Sequence, residues 1–372
     1  MVMRRAWAAL RPQGVALIRS SQHMRVLNAS FVPRAGACTA LRTSPLRPTR
    51  TYCLPSLVIV GAMRAGTSAL CDLLSKQPRY ARNADGREVH YFSDPFASPR
   101  KLAKAWPAYA ARFPRRRRDE LVFEKTAQYL TSPGGLAAMF AVLGPALRVV
   151  AVLREPGARL YSEFQHHCAA GRVAAAPRGA RRSTGPRNGT ALPRGAVVRG
   201  DVLPDGTLVA AAVCYAARGL KDKLSVLHAS RRRRAANPGW LVPRGARTPL
   251  GAPWCAPADF ARFLDAAPPG GGEWGEVAAG DYAVHVRAVL ARWPAAAVVD
   301  AGALRRDPAA VLAAVVGAGA APPGAPFRPS RATRAAPMLA ATRRRLDERY
   351  AAPTAALAAL LGPARRGFWS GD

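Results

Sequence analysis

The sequence predicts an α/β fold, a central parallel sheet flanked by helices, and three stretches predict it. "SLVIVG" (56–61) is a short apolar, β-branched run that leads into a glycine-rich turn and then a helical pattern. "LVFEK" (121–125) is a second run of strand length. "LRVVAVLRE" (147–155) is the third, and Pro156 stands behind it where a helix begins, followed by the helical periodicity of "GARLYSEFQHH". Short apolar strands that alternate with helices through loops are the pattern of a sheet covered on both faces.

The elements take their places in order. Residues 1–54 are predicted as a basic targeting or disordered segment. Nine arginines and no carboxylate fall in the first 50 residues, a composition like that of an organelle transit peptide, and the first acidic residue is Asp72. Residues 55–372 are predicted as one domain with a low-complexity basic insertion at about 172–250, which contains "RGARRSTGPRNGT" and the arginine run 231–234. Within the insertion, "AAAVCYAARGLKDKLSVLHA" has the look of a helix. Beyond it, "GDYAVHVRAVLARWP" (280–294) reads as an amphipathic helix and "AAVVDA" (296–301) as a fourth strand. "DPAAVLAAVVG" and "MLAATRRRLDERYAAPTAALAALL" read as further helices.

Composition bounds the function loosely. The 372 residues carry a formal charge of +34, with 6 lysines against 50 arginines. Arginine enrichment beside alanine, glycine and proline also follows from a GC-rich gene. The charge therefore establishes only a surface suited to polyanions such as nucleic acid, anionic lipid or acidic polysaccharide. No apolar run reaches the ~18 residues of a membrane-spanning helix. The six cysteines form no C-x-x-C pair, so their spacing supports neither a zinc site nor a particular disulfide. Asn28 and Asn188 head glycosylation sequons.

The turn after the first strand, "GAMRAGTS", has Gly61 and Gly66 at the spacing of a phosphate-binding loop, so the fold is expected to be of the P-loop-containing nucleotide-binding type. Backbone N–H groups at a helix N-terminus bind anions with help from the helix dipole. Thr67 stands where a nucleotide hydrolase has its lysine, and the strand 148–153 runs into Arg154 rather than a metal-holding aspartate. Those two positions argue against a kinase or ATPase and favour an anion held by protein cations, of which Arg64 lies inside the loop.

Four motifs in sequence order then resemble the sulfotransferase family. "VGAMRAGTSAL" is similar to its 5′-phosphosulfate loop. "LRVVAVLREPGARLYSEFQ" is similar to its 3′-phosphate motif, with Arg154, Glu155, Pro156, Arg159 and Ser162 in the pattern R-[DE]-P-x-x-R-x-x-S. "EVHYF" (88–92) and "FEKTAQYLTSP" (123–133) resemble segments of heparan sulfate glucosamine 3-O-sulfotransferases and N-sulfotransferase domains. The later helix and strand at 280–317 look like the family's as well.

The resemblance implies a donor, 3′-phosphoadenosine 5′-phosphosulfate, with no metal required, and a carbohydrate hydroxyl or amine as acceptor. Gly61, Arg64, Ala65, Gly66, Thr67 and Ser68 would cradle its 5′ end, while Arg154 and Ser162 would hold its 3′-phosphate. "RPSRATRAAP" (328–337) would cover the donor, with Arg331 and Arg334 as its cations. Arg64 and Lys125 are the candidate cations for the leaving group, Glu88 the general base, and His90 an orienting group. Two departures stand out: Arg64 takes a position usually held by lysine, and Ser93 precedes Asp94 where the family has the aspartate directly. An acidic or neutral polysaccharide is the implied partner, without specific nucleic acid. The implied location is the Golgi lumen or membrane, through an anchor not visible in the sequence, or else an organelle reached by the transit-like segment. A donor-binding relative impaired in catalysis and a basic polyanion- or nucleic-acid-binding protein are the alternatives. "EFQHH" (163–167) is set aside as a metal site for want of further ligands. The arginine runs 115–118 and 231–234 are set aside as nucleic-acid contacts for want of interleaved aromatics.

Overall fold

A computed structural model describes residues 25–28, 30–43, 48–84, 86–93, 99–115, 117, 119–169, 190–192, 196–198, 201–202, 207–210, 240–243, 256–266, 277–317 and 336–362. These fall into two compact units. One holds 25–155, 282–317 and 353–362, and the other 156–281 and 336–352.

The first unit is built on a five-stranded parallel sheet. Its strands are β1 (Leu57–Gly61), β2 (Tyr80–Arg82), β3 (Leu121–Lys125), β4 (Arg148–Leu153) and β5 (Ala297–Asp300), in the order β5-β4-β1-β3-β2. β1 is central and buried at every position, which explains why its sequence is continuously apolar rather than alternating. Register sets Ile59 beside both Lys125 of β3 and Val150 of β4, and Asp300 beside Leu153. The carboxyl ends of β1, β3, β4 and β5 therefore form one edge. Such an edge, where the strand order reverses around β1, is where ligands bind in this architecture.

Helices cover the sheet: α1 (Thr67–Ser75), α2 (Pro133–Leu143), α4 (Tyr282–Leu290), α5 (Ala301–Arg306) and α6 (Pro308–Val316), with α3 (Pro156–Ala169) in the other unit. Local chemistry starts them. Ser132 accepts the Gly135 N–H before α2, Asp300 accepts those of Gly302 and Ala303 before α5, and Asp307 accepts that of Ala310 before α6. Pro133 and Pro308 occupy first turns, where a missing N–H costs nothing. The fold is the α/β type the sequence predicts.

Residues expected as the end of a targeting or disordered segment behave differently. Arg25–Val26, Cys38–Arg42 and Arg50–Cys53 form a three-stranded antiparallel sheet, and a disulfide joins Cys38 to Cys53. Leu41, Tyr52 and Cys53 belong to the core of the first unit.

The second unit has its own small core of Leu160, Phe164, Phe260, Phe263, Leu264, Leu346 and Tyr350. Gly280 is required there, because a Cβ would come 2.7 Å from the Tyr350 ring, whose hydroxyl donates to the Val277 carbonyl at 2.7 Å. Of the expected basic insertion, the described parts are short antiparallel strands: Thr190–Leu192 with Ala196–Val198, and Asp201–Val202, Thr207–Ala210 and Trp240–Pro243. The helix expected at 210–229 lies outside the described residues except for Ala210, which ends the strand Thr207–Ala210.

Candidate active site

The anion loop is shaped by its neighbours. Gly61 ends β1 at φ 156°, and a Cβ on it would lie 2.7 Å from both the Ala127 carbonyl oxygen and the Leu130 Cβ. No other residue fits there without moving backbone. The Ala62 N–H donates to the Val152 carbonyl at 2.7 Å and ties the turn to β4. Arg64 (φ 64°) and Gly66 (φ 95°) then take left-handed conformations, which turn the chain into α1. Gly66 is the cap of α1 and brings no side chain to it, so no capping oxygen competes for the helix's first N–H groups. Thr67 is buried, Ser68 exposed and Arg64 half-buried.

Beside this loop, Lys125 at the end of β3 reaches two groups. Its Nζ donates to Glu88 Oε1 at 2.6 Å and to Ser68 Oγ at 3.4 Å. The lysine side chain is only 8% exposed, which the paired carboxylate makes tolerable. The other oxygen of Glu88 lies 3.2 Å from His90 Nε2, and His90 Nδ1 lies 3.4 Å from Ser93 Oγ. The Glu88 carboxylate thus accepts from Lys125, and from His90 whenever Nε2 carries a proton. His90 holds a left-handed backbone at φ 53°. Thr126 Oγ1 fastens this turn by accepting the N–H groups of Val89 at 3.1 Å and His90 at 3.4 Å.

Arg154 follows directly on β4, half-buried, and its carbonyl accepts the Tyr282 hydroxyl at 2.9 Å. Tyr282 is the first residue of α4 and is buried, so it pins the chain at the position of the expected phosphate clamp. Ser162 lies half-buried on α3 in the second unit. Arg159 of the same motif is fully buried and ion-paired with Glu163 one turn along α3, a structural use of the motif's second arginine. That pairing also occupies the carboxylate of "EFQHH". Arg331, Arg334 and Asp94 lie outside the described residues.

The structure therefore gathers Gly61 through Ser68, Glu88, His90 and Lys125 at one sheet edge, with Arg154 ending the neighbouring strand of that edge. Sequence reasoning missed Thr126, which fastens the Glu88–His90 turn. Its signal was a hydroxyl directly after the strand's last residue. It also missed Tyr129, whose hydroxyl accepts the Phe92 N–H at 3.4 Å, and Glu124, a carboxylate inside a buried strand. Burial is the main cause that pushes the Glu124 carboxyl up to about 8. Among the described residues there is no group of three His, Cys, Asp or Glu placed to hold a metal ion. Among them, too, no helix is long and apolar enough to cross a membrane.

Comparison with known proteins gives relatives named as sulfotransferases over part of the chain. No protein-family model matches the chain. Over 137 residues, 35% of this chain, it is 31% identical to the bifunctional heparan sulfate N-deacetylase/N-sulfotransferase 1 of Caenorhabditis elegans. It is 29% identical over 136 residues to the protein of the same name in Caenorhabditis briggsae. It is 28% identical over 116 residues, 31% of the chain, to the membrane-associated sulfotransferase kil1 of Dictyostelium discoideum. The matched stretch spans 15%, 15% and 23% of those relatives' lengths. The motif-based resemblance to sulfotransferases is borne out by these relatives over about a third of the chain. Among solved structures, a sulfotransferase from Alicyclobacillus acidocaldarius is similar with a TM-score of 0.47 and 21% identity, covering 82% of this chain and 95% of that one.

Proposed function

We propose that the chain is a sulfotransferase that moves a sulfuryl group from 3′-phosphoadenosine 5′-phosphosulfate to a hydroxyl, or an amine, of a polysaccharide. The observation that carries this reading is the position of Lys125, within hydrogen-bonding reach of both Ser68 in the first turn of α1 and Glu88. One cation joins the anion loop to a carboxylate, as direct transfer between a bound anion and an acceptor requires. A metal is not needed in this scheme, because protein cations supply the positive charge.

In the proposed reaction the acceptor oxygen attacks sulfur and the bond from sulfur to the bridging oxygen breaks. The electron pair leaves with adenosine 3′,5′-bisphosphate, and the acceptor proton passes to Glu88. Lys125 and Arg64 stabilise charge growing on the bridging oxygen. His90 orients the Glu88 carboxylate. N–H groups of the loop, with Thr67 and Ser68, hold the 5′ end, while Arg154 and Ser162 take the 3′-phosphate, a group that ATP lacks. Arg331 and Arg334 are assigned the cover over the donor.

Heparan-sulfate-like polysaccharide is the proposed acceptor class, supported by the names of the relatives and by the basic surface. An oxidising lumen, the Golgi by analogy, is the proposed location. The Cys38–Cys53 disulfide supports it, since such bonds persist in that environment. The test is donor-dependent transfer of radiolabelled sulfate to a panel of glycans, run beside donor binding. Binding with no transfer would replace this reading with that of an impaired relative, and absence of donor binding would overturn both.

A further inference from the structure

Strand β2 ends in a cation that the proposed reaction does not use. Arg82 is its last residue and is half-buried, and its Nε is buried with no hydrogen-bond partner. Among the described residues no carboxylate pairs with it, and Glu88 is held by Lys125. Arginine keeps its charge when withdrawn from water, so an unpartnered guanidinium N–H in such a place favours an anion from outside the chain.

Register fixes which way Arg82 faces. It stands beside Phe123 of β3, and Tyr80, two residues earlier, packs its ring against that of Phe123 with 6.3 Å between centroids. Side chains alternate along a strand, so Tyr80, Arg82, Phe123 and Lys125 share one face of the sheet. α1 covers that face, since Lys125 reaches Ser68. Burial raises the Cys71 thiol of α1 most, and Arg82 and Lys125 both lower it, in keeping with two cations under one helix. The chain leaving β2 brings more positive charge. The Asn83 side-chain amide donates to the Arg87 carbonyl at 3.0 Å, and the Ala84 N–H donates to the Arg112 carbonyl at 3.1 Å. Two further arginines are thus tied by their backbones to the residues that follow Arg82, and Arg87 directly precedes Glu88.

Strand order says what the anion belongs to. In the proposed function the donor runs from Arg154 after β4 to the loop after β1, and Lys125 at the end of β3 marks the point of transfer. β2 lies one strand further out, on the side away from Arg154. We propose that Arg82 is a specificity-determining residue whose guanidinium binds a carboxylate or sulfate of the polysaccharide acceptor, with Arg87 and Arg112 flanking the same anionic track. The planar fork of arginine matches either oxyanion. This assignment rests on the reading of the chain as a polysaccharide sulfotransferase.

The experiment measures binding of a heparan-type oligosaccharide to the full chain by calorimetry, with adenosine 3′,5′-bisphosphate present. Arg82→Gln removes the charge and keeps much of the side chain's length. Its affinity for the oligosaccharide is expected to fall about tenfold or more, with affinity for the nucleotide unchanged. Arg79 is exposed and stands just before the other end of β2, and Arg79→Gln is expected to bind as the parent does. Carboxyl-reduced and desulfated oligosaccharides identify the group: with the one that lacks it, parent and Arg82→Gln bind alike. Full affinity in Arg82→Gln, an equal loss in Arg79→Gln, a loss that persists with both altered ligands, or a parent protein that binds none of them overturns the proposal. If Arg82→Gln fails to fold, Arg82→Lys, which keeps the charge and loses the fork, decides by a smaller loss confined to the same ligands. Because binding needs no turnover, a protein that discriminates in this way but transfers no sulfate would sink the functional reading and leave the subsite standing. Transfer by a parent protein that Arg82→Gln matches in affinity would do the reverse.

Discussion

Lys125 Nζ lies 2.6 Å from Glu88 Oε1, and the two residues stand 37 positions apart in sequence. β3 delivers the lysine to the carboxyl edge of the sheet beside β1, and the turn fastened by Thr126 delivers the glutamate. Their pairing next to Ser68 sets a cation and a carboxylate beside the candidate anion loop.

Replacing Glu88 by Gln keeps the shape and removes the proposed base. Donor binding, measured by calorimetry with adenosine 3′,5′-bisphosphate, is expected to stay nearly unchanged, while kcat falls by about 10²–10⁴-fold. Unchanged kcat would assign the base elsewhere.

Replacing Lys125 by Met removes a cation that pairs with Glu88 and is proposed to serve the leaving group. We expect kcat to fall by about 10²–10³-fold, with a smaller loss in donor affinity. Arg64→Lys restores the residue usual in similar loops and is expected to retain turnover, which kinetics on the same acceptor will check.

Arg154→Ala is expected to weaken donor binding by roughly 2–5 kcal/mol if the phosphate contact is desolvated. Adenosine 5′-phosphosulfate, which lacks the 3′-phosphate, should bind parent and variant alike. Equal losses for both nucleotides would show that Arg154 does not read the 3′ end.

The pH dependence of stability follows from Glu124. Its carboxyl is pushed up to about 8 in the folded chain, against 4.5 ordinarily, so between those values the unfolded chain has released a proton that the folded chain still holds. Stability therefore falls as pH rises through that window, by up to about 1.4 kcal/mol per unit from this group. Below it the group is neutral in both states and contributes no slope. Denaturant midpoints for the parent and Glu124→Gln, compared across the window, should diverge in that sense.

Much of the fold was legible because the parallel strands are buried on both faces and so read as plain apolar runs. "LVFEK" was placed to the residue, and "LRVVAVLRE" was trimmed by one residue before and two after. β2 was not legible. Tyr80–Arg82 is three residues long and lies at the end of the strand order beside β3, so it carries no periodicity of its own. The small N-terminal sheet was hidden by composition, since its arginines and threonines resemble a targeting segment while Leu41 and Tyr52 do the packing. For the candidate site, the loop and Lys125 were readable from motif order. Thr126 and Tyr129 were not, because their role is to hold backbone N–H groups more than 30 residues away, which no local pattern records.

The most direct test of the central claim is transfer of radiolabelled sulfate from 3′-phosphoadenosine 5′-phosphosulfate to heparan-type polysaccharide by the full chain, with Glu88→Gln run alongside. The account predicts transfer by the parent protein and its collapse in the variant while both bind the donor product. A parent protein that binds the nucleotide and labels no polysaccharide, or a Glu88→Gln variant as active as the parent, would contradict it.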